Sequence, residues 1–440
     1  MSGLETLPRL VPAQSVEELI SSRGFAQWRT RVEAVSGCAR PVQLAGSGGE
    51  SVFVACKNRR ASMCEPCSRR YAGDTFHLVR SGLCGGKGVP ESVTEHVRVF
   101  TTLTAPSFGP VHNQPRTASG RLRPCACGEW HHDADSRLGG PLDPDSYDYV
   151  GAVLWQAHAP ELWRRFTIAV VRHLAGALGM RVGELRRHLR VSYVKVAEYQ
   201  RRGLVHFHAV IRVDGPDGPG TAAPGFVTSA VLLAAIRSAA SAVTVWVPGF
   251  GTVVGRELGW GEQVDADPIA AHDSGDPAEL ASDRSVAGYV AKYATKGTGA
   301  TAGVDRRIQH AGQIGELEVS EHHRMMIATA WELGGVEELA GLNLRKWAHM
   351  LGFRGHFLTK SRRYSVTFGA IRQARKEHRQ AAVLAEYGID DTPDVAVTGE
   401  WVLARVGYRT DAEREYADVI ARRIREERGI QARATREAHR

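Results

Sequence analysis

Two runs of β-rich residues, Val191–Glu198 and Leu204–Val213, stand in the middle of the chain, joined by the polar stretch Gln200-Arg201-Arg202-Gly203. The pattern predicts a β-hairpin, with Gly203 free to take a turn conformation closed to most residues. Upstream, Val97–Ala105 alternates like a strand that Pro106 should stop. Ala159–Leu178 has apolar residues at helical spacing, with Pro160 suited to a first turn. Val227–Ala240 predicts a small-residue helix, and Val243–Val247 and Thr252–Glu257 predict strands flanking Pro248-Gly249. Asp283–Lys296 predicts a helix capped by Ser282 or Asp283. Val16–Val35, His322–Leu333, Val336–Leu351 and Phe368–Ala385 also read as helical, and Asp411–His439 as a solvated Arg/Glu-rich helix. Ser107–Gly140, rich in Gly, Pro and His, reads as a long inserted loop, and Glu262–Asp283, with seven acids and no Lys or Arg, as an exposed one.

A period of two points His206 and His208 to one face of the second hairpin strand and Phe207 to the other. Glu198, on the partner strand, is close enough in register to sit beside the pair. Two imidazoles and a carboxylate on one face can hold a divalent ion and leave positions open for a substrate oxygen. A hairpin with two hydrogen-bonded histidines is the plainer alternative. On the helix 283–296, Tyr289 and Tyr293 are four apart, as are Lys292 and Lys296, so the phenols share a face with two ammonium groups on an adjacent strip. A Tyr pair at this spacing is ordinarily packing. Beside a metal-holding hairpin it reads instead as a pair of nucleophiles, because nearby ammonium groups favour phenolate and stabilise developing charge.

At 440 residues, with 24% charged and 43% hydrophobic positions, the chain is globular and long enough for several domains. Its net charge of +8 favours a polyanionic partner. The excess is concentrated: between Leu344 and Gln380 ten Lys/Arg face a single acid, Glu377. Arg345, Lys346, Arg354, Lys360, Arg362 and Arg363 are the candidate phosphate contacts. No segment has the length and apolarity of a membrane span, and residues 1–20 lack a signal-peptide pattern, which predicts no membrane partner. The chain lacks a phosphate-binding GxxxxGK[ST] loop and an HExxH motif, arguing against an internal ATPase motor and a zinc hydrolase.

Seven cysteines, odd in number and clustered, fit metal binding in a reducing cytoplasm better than a disulfide framework. Cys64 and Cys67 form a Cys-x2-Cys pair, and with Cys38 and Cys56 they supply the four thiolates of a closed structural Zn²⁺ site; Cys84 is the alternative to Cys38. Cys125, Cys127, His131 and His132 lie within eight residues and offer a second zinc site.

These residues carry a family resemblance. Phe100–Thr104, His206-Phe207-His208 and Tyr289–Lys296 look like the three motifs of HUH endonucleases. More closely, CKNRRASMCEPC, FTTLTAPSFGPVH, KVAEYQRRGLVHFHAVIR, GYVAKYATKGT and KWAHMLGFRGHFLTKSRRYS resemble replication initiators of actinomycete rolling-circle plasmids and integrative elements, over about residues 38–375. The resemblance implies sequence-specific nicking of one origin strand with Mg²⁺ or Mn²⁺ at Glu198, His206 and His208. Tyr293, in its Lys-Tyr-x-x-Lys context, is the first nucleophile, Tyr289 the second, and Lys292 and Lys296 assist. It also implies origin DNA, double- and single-stranded, with host helicase, polymerase and single-strand-binding protein as partners in a bacterial cytoplasm. A paired-tyrosine transposase, a relaxase and a non-catalytic zinc-dependent DNA-binding regulator are the alternatives. Ser146 departs from the pattern, which has a cysteine before Tyr147-Asp148-Tyr149, and weakens the second zinc site. The expected fold is α+β, a ferredoxin-like antiparallel sheet with the His pair central and helices on one face. Its expected parts are a zinc-binding module (1–95), a core (96–300) with an insertion at 107–150, and a helical basic region (301–440).

Overall fold

The computed structural model describes residues 15–47, 49–269, 285–290, 292, 306–386 and 400–437. The chain divides into two compact units, residues 1–73 with 373–440, and residues 74–372. The boundaries drawn at 95 and 300 from sequence both fall inside the second unit, and the chain after 373 belongs with the cysteine-bearing start.

In the first unit α1 (Val16–Ser21) and α2 (Phe25–Ala34) replace the single helix expected, because Gly24 turns to φ 95° between them. β1 (Val42–Gly46) and β2 (Ser51–Val54) form a hairpin, and α3 (Glu65–Cys84) starts in this unit and ends in the other. At the far end of the sequence a strand at Trp401–Val406 pairs antiparallel with β1, and the helix Asp411–Glu437 follows it. That helix is not wholly solvated. Ala417 and Ile420 pack with Leu19, Trp28 and Val32 into a small core.

The second unit is built on a five-stranded antiparallel sheet. β3 (Arg98–Leu103) leads through the insertion to α4 (Tyr149–Ala177), then α5 (Val182–His188), β4 (Arg190–Tyr199) and β5 (Val205–Asp214). After α6 (Ser229–Ala242) come β6 (Thr244–Val247) and β7 (Arg256–Gly259), paired with each other, and β8 (Val264–Ile269). α7 (Glu321–Leu333) and β9 (Leu358–Lys360) follow. The strand order is β8-β3-β5-β4-β9, so the His-bearing strand is central as expected. β8 is a difference. The acidic stretch expected as loop begins as an edge strand, with Ala266 and Ile269 buried while Asp265 and Asp267 point to solvent. Such outward charge protects an exposed edge from further pairing. Residues 270–284 lie outside the described ones.

One face of the sheet is covered by α4, where Trp163 meets Phe207 edge-on at 5.9 Å. α4 starts ten residues earlier than its apolar pattern suggested: Asp148 caps it by accepting from the Gly151 amide at 2.8 Å, leaving Pro160 in the interior. Burial of Ala152 through Ala157 compensates for the hydrogen bond a proline cannot donate. The region 336–351 is two 3-10 turns around a single turn of helix, broken where Asn343 and Leu351 take φ 51° and 53°.

The His face of β5 continues into a buried polar cluster. Arg212 Nε and Nη2 donate to Asp214 at 2.6 and 3.0 Å, and both side chains are fully buried. Asp214 also meets His96 Nδ1 at 2.8 Å and the Ser192 hydroxyl at 2.7 Å, and Arg98 donates to the Leu83 carbonyl at 2.8 Å. These partners hold the Asp214 carboxyl below its ordinary range against a burial that pushes it up. On the opposite face Lys195 is 3% exposed, 4.1 Å over the Phe207 ring, and donates to the His356 carbonyl at 3.1 Å. Burial alone lowers its ammonium to about 7.

Two outcomes follow from this packing. Asp214→Asn should destabilise the fold by about 3–5 kcal/mol in urea unfolding, because it leaves Arg212 buried and uncompensated. Between pH 7 and roughly pH 10 the unfolded state keeps a Lys195 proton that the native state has lost, so stability should rise with pH there. Lys195→Met should flatten that rise, which unfolding curves at pH 7 and 9.5 would show.

Candidate active site

The site forms because β4 and β5 pair in a register that sets Glu198 directly opposite His206 and Val196 opposite His208. Gly203 turns the hairpin at φ 75°, as its position predicts. The turn is held from three sides: Gln156 of α4 donates to the Gly203 carbonyl at 3.0 Å and accepts from the Val205 amide at 2.9 Å. Arg202 donates to the carbonyls of Ala105 and Pro106 at 2.8 and 3.0 Å, and His322 Nε2 lies 3.0 Å from the Arg202 carbonyl.

Three donor atoms converge on the open face. Glu198 Oε2 lies 2.9 Å from His206 Nε2 and 3.3 Å from His208 Nε2, and the two nitrogens are 3.1 Å apart. An octahedral cation with bonds of about 2.1 Å sets adjacent donors about 3.0 Å apart, so these three atoms fit one face of such a shell. The Thr102 hydroxyl lies 2.9 Å from His208 Nδ1 and can accept its proton when the Nε2 lone pair is turned to a metal ion. Phe100 stacks on the His208 ring at 5.8 Å and 10°. Phe100 and Thr102 lie in the stretch Phe100–Thr104 that carries part of the family resemblance, and the alternation of β3 places both on the His208 face, a role the sequence does not assign to either individually.

Tyr289 belongs to the described helical residues 285–290, anchored by fully buried Ala287 and Val290. Its hydroxyl lies 3.4 Å from His208 Nε2, its ring meets His208 at 5.0 Å, and the side chain stays 39% exposed. Lys292, three residues on, is exposed. Tyr293 and Lys296 lie outside the described residues.

In the first unit, Cys38, Cys56, Cys64 and Cys67 bring their sulfurs within 4.8 Å of one another, with Cys84 not among them. Cys38 Sγ is 3.8 Å from Cys64 Sγ and 3.6 Å from Cys67 Sγ, too far for a disulfide and matching the roughly 3.8 Å edge of a tetrahedron with Zn–S bonds of about 2.3 Å. The Ala39 and Cys56 amides donate to Cys64 and Cys38 sulfurs at 3.3 and 3.2 Å, as suits thiolates. This cluster could bind zinc.

In the insertion, the expected set Cys125, Cys127, His131 and His132 loses one member and gains another. His132 is exposed, since it follows the inward-pointing His131, and His112 takes the fourth place. His112 stands thirteen residues before Cys125, inside the FTTLTAPSFGPVH stretch that carries the family likeness.

The basic residues are scattered over the later part of the second unit. Arg345, Lys346, Arg354, Arg362 and Arg363 are exposed, Arg345 lying over the Trp331 ring at 5.4 Å. Lys360 differs: it is half-buried, its ammonium is bound by the carbonyls of Ser361, Arg362 and Ser365, and burial lowers its pKa. It stabilises a turn and is a poorer phosphate contact than its neighbours. No helix among the described residues is long and apolar enough to cross a membrane.

Comparison with known proteins places the chain in a family. The RepSA family profile, described as replication initiator protein of pSAM2, matches residues 24–422. A replication initiator protein of Streptomyces ambofaciens is 42% identical over 443 residues, covering 95% of this chain and 94% of the relative. No solved structure gives a significant match.

If the three donors act together, His208→Ala or Glu198→Gln should weaken Mn²⁺ binding at least roughly tenfold in a paramagnetic titration, and Thr102→Val by a smaller factor. Equal affinity in all three variants would count against a shared ion.

Proposed function

The chain belongs to the RepSA family of replication initiator proteins, and on that premise we propose that it opens replication by nicking one strand of its own origin through an HUH endonuclease core. The observation that carries the reading is the phenol of Tyr289 at 3.4 Å from an imidazole that itself meets a second imidazole and a carboxylate. A phosphodiester drawn to that face would meet a nucleophile and a cluster of metal-ligating atoms together. The donor set suits Mg²⁺ or Mn²⁺, which when bound would polarise the scissile phosphate and withdraw charge from its oxygens.

The chain's own groups supply the rest. A phenol oxygen attacks phosphorus, giving up its proton as the phosphorus–3′-oxygen bond breaks, and the departing oxygen ends as a free 3′-hydroxyl. The result is a 5′-phosphotyrosine that conserves the bond energy, so rejoining needs no nucleotide. The ammonium groups of Lys292 and Lys296 favour phenolate and balance the negative charge that accumulates. The Lys-Tyr-x-x-Lys context supports Tyr293 as the first nucleophile, and the seat of Tyr289 beside His208 supports it as the acceptor of the second transfer. Exposed arginines at 345, 354, 362 and 363 would grip origin phosphates and set the register of the strand. With no phosphate-binding nucleotide loop in its sequence, the protein would rely on a host helicase to unwind from the nick.

The reading is tested with supercoiled origin plasmid and Mn²⁺. Tyr293→Phe should lower nicking by at least roughly 10³-fold with origin binding retained, and peptide mapping should place the adduct on Tyr293 in the unaltered protein. An adduct that survives Tyr293→Phe and vanishes in Tyr289→Phe would reverse the order of the two. Absence of any denaturant-stable adduct on the authentic origin would instead leave a zinc-dependent DNA-binding regulator.

A further inference from the structure

The tip of the insertion between β3 and α4, residues 113–137, presents its side chains inside out. Leu122 and Trp130, the large apolar residues of that tip, are 41% and 63% exposed, whereas Cys125 and His131 are buried. A segment that buries soft metal-ligand atoms in preference to its hydrophobic residues is not held by an apolar core. Something else must organise it.

The four inward groups suggest what. His112 Nδ1 and His131 Nε2 are 3.2 Å apart, Cys127 Sγ is 3.3 Å from His131 Nε2, and Cys125 Sγ is 4.0 Å from His112 Nδ1. Tetrahedral zinc with Zn–N near 2.0 Å and Zn–S near 2.3 Å predicts N···N edges of about 3.3 Å and N···S edges of about 3.5 Å. His131 turns its other nitrogen to Asp135 Oδ2 at 2.7 Å, and Arg137 holds that carboxylate at 2.9 and 3.2 Å. A carboxylate behind a histidine fixes its tautomer and orients it toward a metal. The Cys125 and Cys127 positions sit on a turn closed by Gly128 N to Cys125 O at 2.8 Å and Cys125 N to Glu129 O at 2.8 Å.

We infer that His112, Cys125, Cys127 and His131 form a second structural zinc site, with Asp135 orienting His131 from behind. Two thiolates and two neutral imidazoles cancel the ion's charge, and binding releases the two thiol protons. The ion ties the tip of the insertion to its own neck, where His112 and Gly140 are already bonded through backbone N to O at 2.8 Å. That neck bears directly on the catalytic hairpin: a Cβ on Gly139, at φ 88°, would lie 2.4 Å from the Arg201 carbonyl carbon. The clasp therefore orders the segment against which the His206-bearing hairpin turns.

The test is the zinc content of the full-length chain by mass spectrometry, with trypsin sensitivity as a second readout. The unaltered protein should hold two ions, Cys64→Ser should lose one, and His112→Ala should lose the other while His132→Ala keeps both. Asp135→Asn should weaken the insertion's ion by roughly 10–100-fold in a chelator competition. In His112→Ala, cleavage after Arg116 and Arg121 should accelerate several-fold, and His112→Cys, which restores a donor, should return both ion and resistance. Loss of zinc in His132→Ala but not in His112→Ala would overturn the assignment, as would an unaltered protein whose single ion disappears with Cys64.

Discussion

Everything at the site depends on the register of one strand. β5 is paired on both sides, to β3 and to β4, and its alternation sends His206 and His208 one way and Phe207 the other. A slip of one residue would bury the imidazoles against Trp163 and turn Phe207 to solvent. The register is secured from two directions. On the α4 side, Phe207 packs among Trp163, Trp260 and Phe353. On the His side, Arg212 and Asp214 are fully buried and find partners in His96 and Ser192 only when the strand is in this position. A buried ion pair adds little net stability over apolar packing, so its contribution here is better read as specificity of pairing.

The three clusters of metal-ligand residues differ in chemistry in a way that matches their surroundings. Of the four cysteines in the first unit, Cys38, Cys64 and Cys67 are buried beside Val35 and Cys56 is half-buried, a soft set suited to a structural ion. The insertion offers two sulfurs and two ring nitrogens within a loop that has little core of its own. The hairpin offers two nitrogens and one carboxylate oxygen on a face that remains partly open, with His206 at 16% side-chain exposure. The last, on its partly open face, leaves space for a further oxygen, and there the Tyr289 hydroxyl approaches a donor atom.

That approach is made from the described helical residues 285–290, where Ala287 and Val290 are buried while Tyr289 between them keeps more than a third of its surface open. Small buried anchors seat the backbone close to the sheet, so a phenol rather than a longer side chain reaches the imidazole. The residues that steady the hairpin turn come from elsewhere in the chain: Gln156 from the long helix, His322 from α7 and the neck of the insertion at Gly139. The candidate site of this replication initiator thus has few groups of its own, and its supports are drawn from distant parts of the second unit.

Periodicity by itself determined the hairpin, the facing of His206, His208 and Glu198, and the helical residues 285–290 that carry Tyr289, because each follows from local spacing of two or about four residues; the Cys64/Cys67 pair was legible in the same way, whereas only the fold selects Cys38 rather than Cys84 to complete its set. Tertiary structure alone decided what distance in sequence conceals. It brought His112 into the insertion's donor set in place of His132, since a long-range turn and not adjacency governs which ring points inward. It converted part of an acidic stretch into an edge strand, where alternation with buried Ala266 matters more than composition. It also returned residues 400–437 to the start of the chain, because the local hairpin leaves one edge of β1 unpaired and the strand Trp401–Val406 fills it.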